Sequence, residues 1–491
     1  MRPTVELLDR ALVERILGEA FELLLEPGVR VQSSAAAALL EEGGATVRDG
    51  VARIPEQVVR RALETVPRTF ALHDRSGVPA VRYGAGEVHF DPGSCGVNVL
   101  DPDTLEHRPS ASRDLVRLVQ VAEMLPQYAA QSTAVVCSDV PAEIGDLYRL
   151  FLVLLYSDKP VVTGSFSART TQVMIELLAA DAGGPAALAE RPRAVFDVCP
   201  SPPLNWSEFG GQNLVDLARA MVPAEIVSMP LAGAAAPVTL VGSVVQHAAE
   251  CLSGIAIHQL ARPGAPIVWG GAPAIVDMRS GATPMGAVET AMLDLACAQV
   301  GRSLGLPTHG YLVATDAKVV DAQAGLESGI SAVLGMLGGI DLISGAGMLD
   351  FLLCQSAEKL VIDAEAIAMA QRLARGVGTP TETLATAMFA QAGLEGRFLE
   401  LPETRALFRG EQHLPSKVID RASHRSWVDA GADDTFARAR TRVAELLAAY
   451  RRPEIDPDRE AALVALVRRE ASAVGLASLP GVPEEVAARP T

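Results

Sequence analysis

The sequence predicts an α/β fold: a closed (β/α)8 TIM barrel over residues 88–375, with an N-terminal α+β attachment over 1–87 and a C-terminal helical extension over 376–491. Three observations lead there. Short β-branched apolar runs alternate with longer Ala- and Leu-rich stretches of helical period, the pattern of a parallel sheet with helical crossovers. Eight such runs fall within about 285 residues, close to the ~250 that a barrel of this kind needs. No GxGxxG turn follows any of them, whereas an open doubly wound sheet that binds dinucleotides carries one after its first strand.

The attachment opens with helices at 7–25 and 33–42, continues through a hairpin at 46–54 turned on Asp49-Gly50, and ends in a helix at 55–65. Barrel strands are expected at 88–95, 127–137, 160–166, 194–199, 224–229, 265–270, 308–314 and 339–343. Helices are expected at 112–124, 142–156, 170–180, 211–221, 235–260, 285–304, 321–337 and 350–373, so each crossover is long enough for a right-handed return. Beyond residue 375 the chain becomes more charged, with amphipathic helices at 436–450 and 458–474, and its closing residues, rich in Pro and Glu, read as a loose tail.

Composition bounds the function. With 49% hydrophobic and 21% charged residues the 491-residue chain can build a sizeable core, and no run of about 18 uninterrupted apolar residues suggests a membrane span. A net charge of −17 opposes binding to nucleic acid or to anionic lipid. Met1-Arg2-Pro3 is not followed by the apolar stretch of a secretory signal. The six cysteines are far apart and form no CxxC pair, which argues against a zinc ribbon or a disulfide scaffold and fits a reducing cytoplasm.

In such a barrel, catalytic groups come from the carboxyl ends of the strands. That rule selects Phe90, Asp91 and Cys95; Cys137; Phe166; Cys199, Trp206 and Glu208; Trp269 and Asp277; and His309, Tyr311, Asp316 and Lys318. Of eight histidines only His309 lies near a strand end, and neither HxH nor HExxH occurs, which disfavours a directly bound metal. There is no phosphate-cradling GK[ST] loop and no GxSxG elbow. Lys318 is the candidate for Schiff-base chemistry of lyase or aldolase type, and equally for a helix-start charge pair with Asp316. Cys95, Cys137 and Cys199 could supply a thiolate, although buried cysteines usually pack as small hydrophobes. Phe90, Phe166, Trp206, Phe209, Trp269 and Tyr311 bring six of the chain's 21 aromatic rings near the mouth. Rings with nearby carboxylates suit a quaternary ammonium group; ordinary packing is the competing reading.

Several segments are those of a known family: Leu100-Asp101-Pro102-Asp103-Thr104 leading through Arg108-Pro109 to Asp114; Ser157-Asp158-Lys159-Pro160; Met229-Pro230-Leu231-Ala232-Gly233; and Gly271-Ala272-Pro273 with Asp277-Met278-Arg279. Further along come Asp316-Ala317-Lys318 with Asp321-Ala322-Gln323 and Glu327, then Ser344-Gly345-Ala346-Gly347-Met348-Leu349, and Ser356-Ala357-Glu358-Lys359 through Asp363. In their order and spacing the chain resembles the trimethylamine:corrinoid methyltransferase superfamily, in particular its members without pyrrolysine, among them glycine betaine methyltransferases. The resemblance implies a barrel and transfer of a methyl group from a quaternary or tertiary N-methylated amine to the Co(I) of a corrinoid. That corrinoid is carried by a separate binding protein, and no metal is held by this chain. It also adds Gln323 to the substrate-site candidates. His309, Arg279, Lys318 or backbone N–H groups are candidate partners for a substrate carboxylate, and the helical extension offers surface for a homo-oligomer. A non-catalytic amine-binding role is the remaining alternative.

Overall fold

The computed structural model describes residues 3–487. Eight parallel strands carry the fold: β1 (His89–Pro92), β2 (Gln131–Ser132), β3 (Val161–Thr163), β4 (Ala194–Val198), β5 (Ala224–Ser228), β6 (Ile267–Gly271), β7 (His309–Tyr311) and β8 (Leu342–Ala346). Strands β2 to β6 pair in chain order as one arc, and β7, β8 and β1 form a second. Two seams join the arcs. Trp269 N–H donates to Pro307 O at 2.9 Å and bridges Thr308, while Ala129 N–H donates to Phe90 O at 2.8 Å and Gly96 bridges Val135. The strands thus form a ring in which the first meets the last.

Side-chain alternation along each strand assigns the two faces. Phe90, Phe196, Ile226, Trp269 and Ile343 point outward into one large apolar cluster with the surrounding helices. Ala130, Val162, Val195, Val268 and Leu342 point inward and make the lowest interior layer. That layer is closed from below by a hairpin the sequence reading missed, Phe70–His73 with Pro79–Tyr83, which inserts Leu72, Val81 and Tyr83. The helix Leu240–Ala261 is long and apolar enough to cross a membrane, yet most of it is buried. It earns its apolarity as a central packing post for the helices Arg10–Leu25, Ser34–Glu42, Glu56–Thr65 and Glu208–Ala220.

The expected hairpin forms over Thr46–Arg48 and Val51–Arg53, with Asp49 and Gly50 both at positive φ (50° and 73°) as a type I′ turn requires. The strands expected at 127–137 and 308–314 shorten to β2 and β7, the helix expected from 235 starts at Leu240, and three further expectations shift for a visible reason. Strand β8 starts at Leu342 because Gly339, at φ 72°, caps the preceding helix Ala322–Gly338. The helix expected from 350 begins at Ala357, since Asp350, Phe351 and Leu352 all adopt left-handed backbone, which a right-handed helix cannot contain; Ser356 caps it instead, accepting from Lys359 N–H. The closing segment is not loose throughout: Tyr148 and Tyr156 hydroxyls donate to Pro480 O and Gly481 O at 2.7 Å, and Val486 is fully buried. The last four residues of that tail lie outside the described residues. Helices Thr435–Ala449 and Pro457–Ala473 lie along the barrel's own helices.

Candidate active site

A cavity of about 300 Å³ opens at the carboxyl end of the barrel, and every strand or the loop after it contributes to its wall. Ser94 and Cys95 follow β1, Thr133 follows β2, and Gly164, Ser165 and Phe166 follow β3. Asp197 and Cys199 come from β4, Val227 and Met229 from β5, Ala272 from β6, Tyr311 from β7 and Leu352 from the loop after β8. A mostly apolar concavity with a few fixed polar groups is the usual form of a small-molecule site.

One of those polar groups is an acid, Asp197, and another a permanent cation, Arg149. Asp197, the only ionisable residue of β4, accepts from the Tyr311 hydroxyl at 2.9 Å while its Oδ1 has no partner. Burial, and then the charge of Glu225 beside it, push its pKa up to about 8. Arg149 comes from the helix Gly145–Tyr156, which is buried on every side. Its Nη1 donates to Thr133 O at 3.0 Å, its guanidinium lies 4.9 Å from the centroid of the Phe166 ring, and its Nε is buried without a partner. No carboxylate among the described residues forms an ion pair with it. Phe166 is held in place by Asp146, whose Oδ2 accepts from the Phe166 backbone N–H at 2.6 Å.

One layer deeper lies a polar chain. Asp91 Oδ1 accepts from Ser344 Oγ at 2.6 Å, Ser344 Oγ is 2.7 Å from His309 Nε2, and His309 Nδ1 bonds Glu225 Oε2. The His309 ring stacks on Tyr311, centroids 5.3 Å apart, forming the floor between chain and cavity. Burial raises the carboxyl pKa values of Asp91 and Glu225 well above the usual range and lowers that of His309 to about 4. Gly270 makes room for Glu225: a Cβ there would stand 2.1 Å from Glu225 Oε1.

The sequence-derived candidates therefore separate. Cys95, Cys199 and Tyr311 line the cavity; Asp91 and His309 lie beneath it. Phe90, Trp206 and Trp269 do not share it. Phe90 and Trp269 take outward positions on their strands, Trp269 Nε1 donating to Cys297 O at 2.9 Å. Trp206 sits where the chain after β4 pairs with the attachment strand Val29–Val31, and donates to Ser253. A cage of several rings is thus corrected to Tyr311 and Phe166 alone. Glu208 is exposed at a helix start, and Asp277 pairs with Arg279 on the loop after β6. Asp316 accepts from Met285 N–H at 2.7 Å, and Gln323 bonds Glu327 on the surface. Lys318 is half exposed, with its ammonium 3.8 Å from the Phe351 ring centroid and 3.4 Å from Asp350, so its expected pairing with the Asp316 side chain is replaced by a bond to Asp316 O. Asp197 and Arg149 were missed. A lone acid inside an apolar strand and a lone arginine inside an apolar helix are the signals that could have found them.

Comparison with known proteins adds a separate line. Residues 1–475 match the family described as "Trimethylamine methyltransferase (MTTB)". The chain is 30% identical over 451 residues to a trimethylamine methyltransferase of Desulfitobacterium hafniense, covering 91% of this chain and 90% of that one. It is 27% identical over 475 residues to a glycine betaine methyltransferase of the same species, covering 96% and 98%. The fold resembles the crystal structure of the monomethylamine methyltransferase of Methanosarcina barkeri, with a TM-score of 0.52 at 13% identity over 89% of this chain and 88% of that one.

Proposed function

Because the chain belongs to the trimethylamine methyltransferase family, we propose that it moves a methyl group from an N-methylated ammonium compound to the Co(I) of a corrinoid carried by a partner protein. The observation that carries the finer reading is the pairing, across one small cavity, of the Asp197–Tyr311 carboxyl site with the unpaired guanidinium of Arg149. A cation and an anion are wanted in the same ligand, which describes a betaine rather than a simple amine.

The chemistry asks little else of the protein. A quaternary nitrogen leaves as a neutral amine when its methyl group is taken, so no acid need protonate it first, and the work is orientation and electrostatics. Asp197 faces the ammonium and Arg149 the carboxylate. Val227, Met229, Ala272, Leu352 and Phe166 keep water from the methyl groups. The corrinoid supplies the nucleophile from outside the barrel, and the apolar rim residues Val97, Phe166 and Leu353 support its approach over this face. The lining contains no lysine, so a Schiff-base reaction lacks its amine here.

The acidic balance and the burial of the helix Leu240–Ala261 support a cytoplasmic protein without membrane or nucleic-acid partners. Exposed Val377, Leu384, Leu394 and Leu399 in the extension support self-association. The test is to incubate the purified protein with a Co(I) corrinoid protein and a panel of betaines, tetramethylammonium and methylamines. A methyl-cobalt spectrum with a betaine is expected; no methylation by any of them refutes the reading.

A further inference from the structure

The chain Asp91–Ser344–His309–Glu225 can be read by counting protons. It contains three hydrogen bonds, and each needs one proton. The serine hydroxyl supplies one and a neutral imidazole supplies one. The third must come from elsewhere, and only the two terminal carboxyls or a charged imidazole can hold it. Burial disfavours the charged imidazole. If Ser344 donates to Asp91, His309 donates through Nε2 and Glu225 carries the proton given to Nδ1. If every bond reverses, Asp91 carries it and Glu225 is ionised. The two arrangements differ only by a shift of each proton along its own bond.

We propose that Asp91–Ser344–His309–Glu225 is a proton relay holding one proton that can rest at either end, so that one mobile negative charge is kept beneath the amine pocket. Resting on the methyl-transfer reading, the relay has a use: the site meets a cation before the reaction and a neutral amine after it, and a charge that shifts without leaving the barrel serves both states. Its surroundings fit this role. Asp197 is the register neighbour of Glu225, and Tyr311 stacks on His309. Tyr83 closes the interior from below, and Asp341 lies at the start of β8. Asp91 Oδ2 and Glu225 Oε1 are buried and unpartnered, so neither carboxyl is pinned to one protonation state by further donors.

The experiment compares native protein with D91N, E225Q and the double variant. An amide at one end satisfies its hydrogen bond without the extra proton, so each single variant keeps one negative charge, fixed at the opposite end. The infrared spectrum of the native protein without ligand should contain a protonated-carboxyl band that both single variants lack. Tetramethylammonium binding should weaken by no more than about twofold in each single variant, which would add to about fourfold, but by at least about twentyfold in the double, where no charge remains. Absence of the band from both difference spectra overturns the relay. So does additive loss of binding, which is what a purely structural chain would give. Failure of the methyl-transfer reading is separate: it would show as no methyl-cobalt product with any substrate, while the ligand-free band still tests the proton count.

Discussion

Replacing Arg149 by methionine should change which ligand the cavity prefers, and the structure sets the size of the change. A carboxylate bound to this guanidinium gains a charge-assisted contact in a buried site, worth about 1.5–3 kcal/mol, so loss of that contact alone costs a betaine a factor of ~10 to 100. A ligand with only an ammonium group feels the opposite effect. In a cavity of about 300 Å³ the two cations stand about 6 Å apart, and at an effective dielectric constant near 20 their repulsion is roughly 3 kcal/mol. Its removal should tighten tetramethylammonium binding by up to ~100-fold. A betaine's own ammonium shares that relief, so the preference for betaine over tetramethylammonium falls by the carboxylate contact alone, about 1.5–3 kcal/mol, roughly one to two orders of magnitude. Titration calorimetry with both ligands measures it, and Arg149→Lys should lie between, since an ammonium keeps the charge but loses the planar fork. If Arg149→Met weakens both ligands alike, Arg149 acts on the fold through its bond to Thr133 O and the zwitterion argument is wrong.

Three further outcomes follow from the same geometry. Asp197 holds its proton up to about pH 8, and an ammonium ligand favours the ionised form, so tetramethylammonium affinity should rise as pH is raised from 6 to 8 and level off above; Asp197→Asn should be weaker and flat across that window, as calorimetry at several pH values would show. Gly270→Ala puts a methyl group into Glu225 and should lower stability by about 1–3 kcal/mol, with a matching drop in Tm that Glu225→Ala in the same chain partly restores. Lys318→Ala, at a half-exposed side chain bonded only to its own loop and to Asp350, should leave methyl-transfer rate unchanged within about twofold, and a large loss would reopen the lysine chemistry.

Much of the fold was legible because a parallel barrel repeats one signal eight times: apolar run, helix, apolar run. What escaped was what the repeat does not encode. Strand β2 has only two ladder residues, both paired with β3, although the apolar run around it is long, because its chain meets the β1 side only through one hydrogen bond, at Ala129, and one bridge, at Val135. The hairpin that plugs the barrel has ordinary strand composition, and nothing local says that Leu72, Val81 and Tyr83 end inside. The site was less legible than the fold. Nearness to a strand end selects Trp269 and Gly270 equally, yet neighbouring residues face opposite ways, and the ring went out against the helix Val288–Ser303 while the glycine went in.

Strand parity, read from the ionisable residues, carries the missing information. A strand covered on both faces is apolar throughout, so hydrophobicity cannot say which face is interior. The exceptions can. Asp91 in β1, Asp197 in β4, Glu225 in β5, His309 in β7 and Ser344 in β8 are residues that an apolar strand tolerates only if partners await them, and here those partners lie across the barrel axis, whereas Gln131 in β2 and Ser228 in β5 find theirs on the surrounding helices. Taking those five as inward fixes the parity of their strands at once: Phe90 becomes outward, and Tyr311, two residues beyond His309, becomes inward at the mouth. The same step brings Asp197 beneath the mouth and leaves a ring-poor pocket in which the Asp197 carboxylate must do what stacked aromatics would otherwise do for a cation. Low aromatic content is then a property of the site as well as of the chain, and on the proposed reading the Arg149 guanidinium lets this pocket favour a ligand with a carboxylate, where a purely aromatic cage would accept any methylated ammonium.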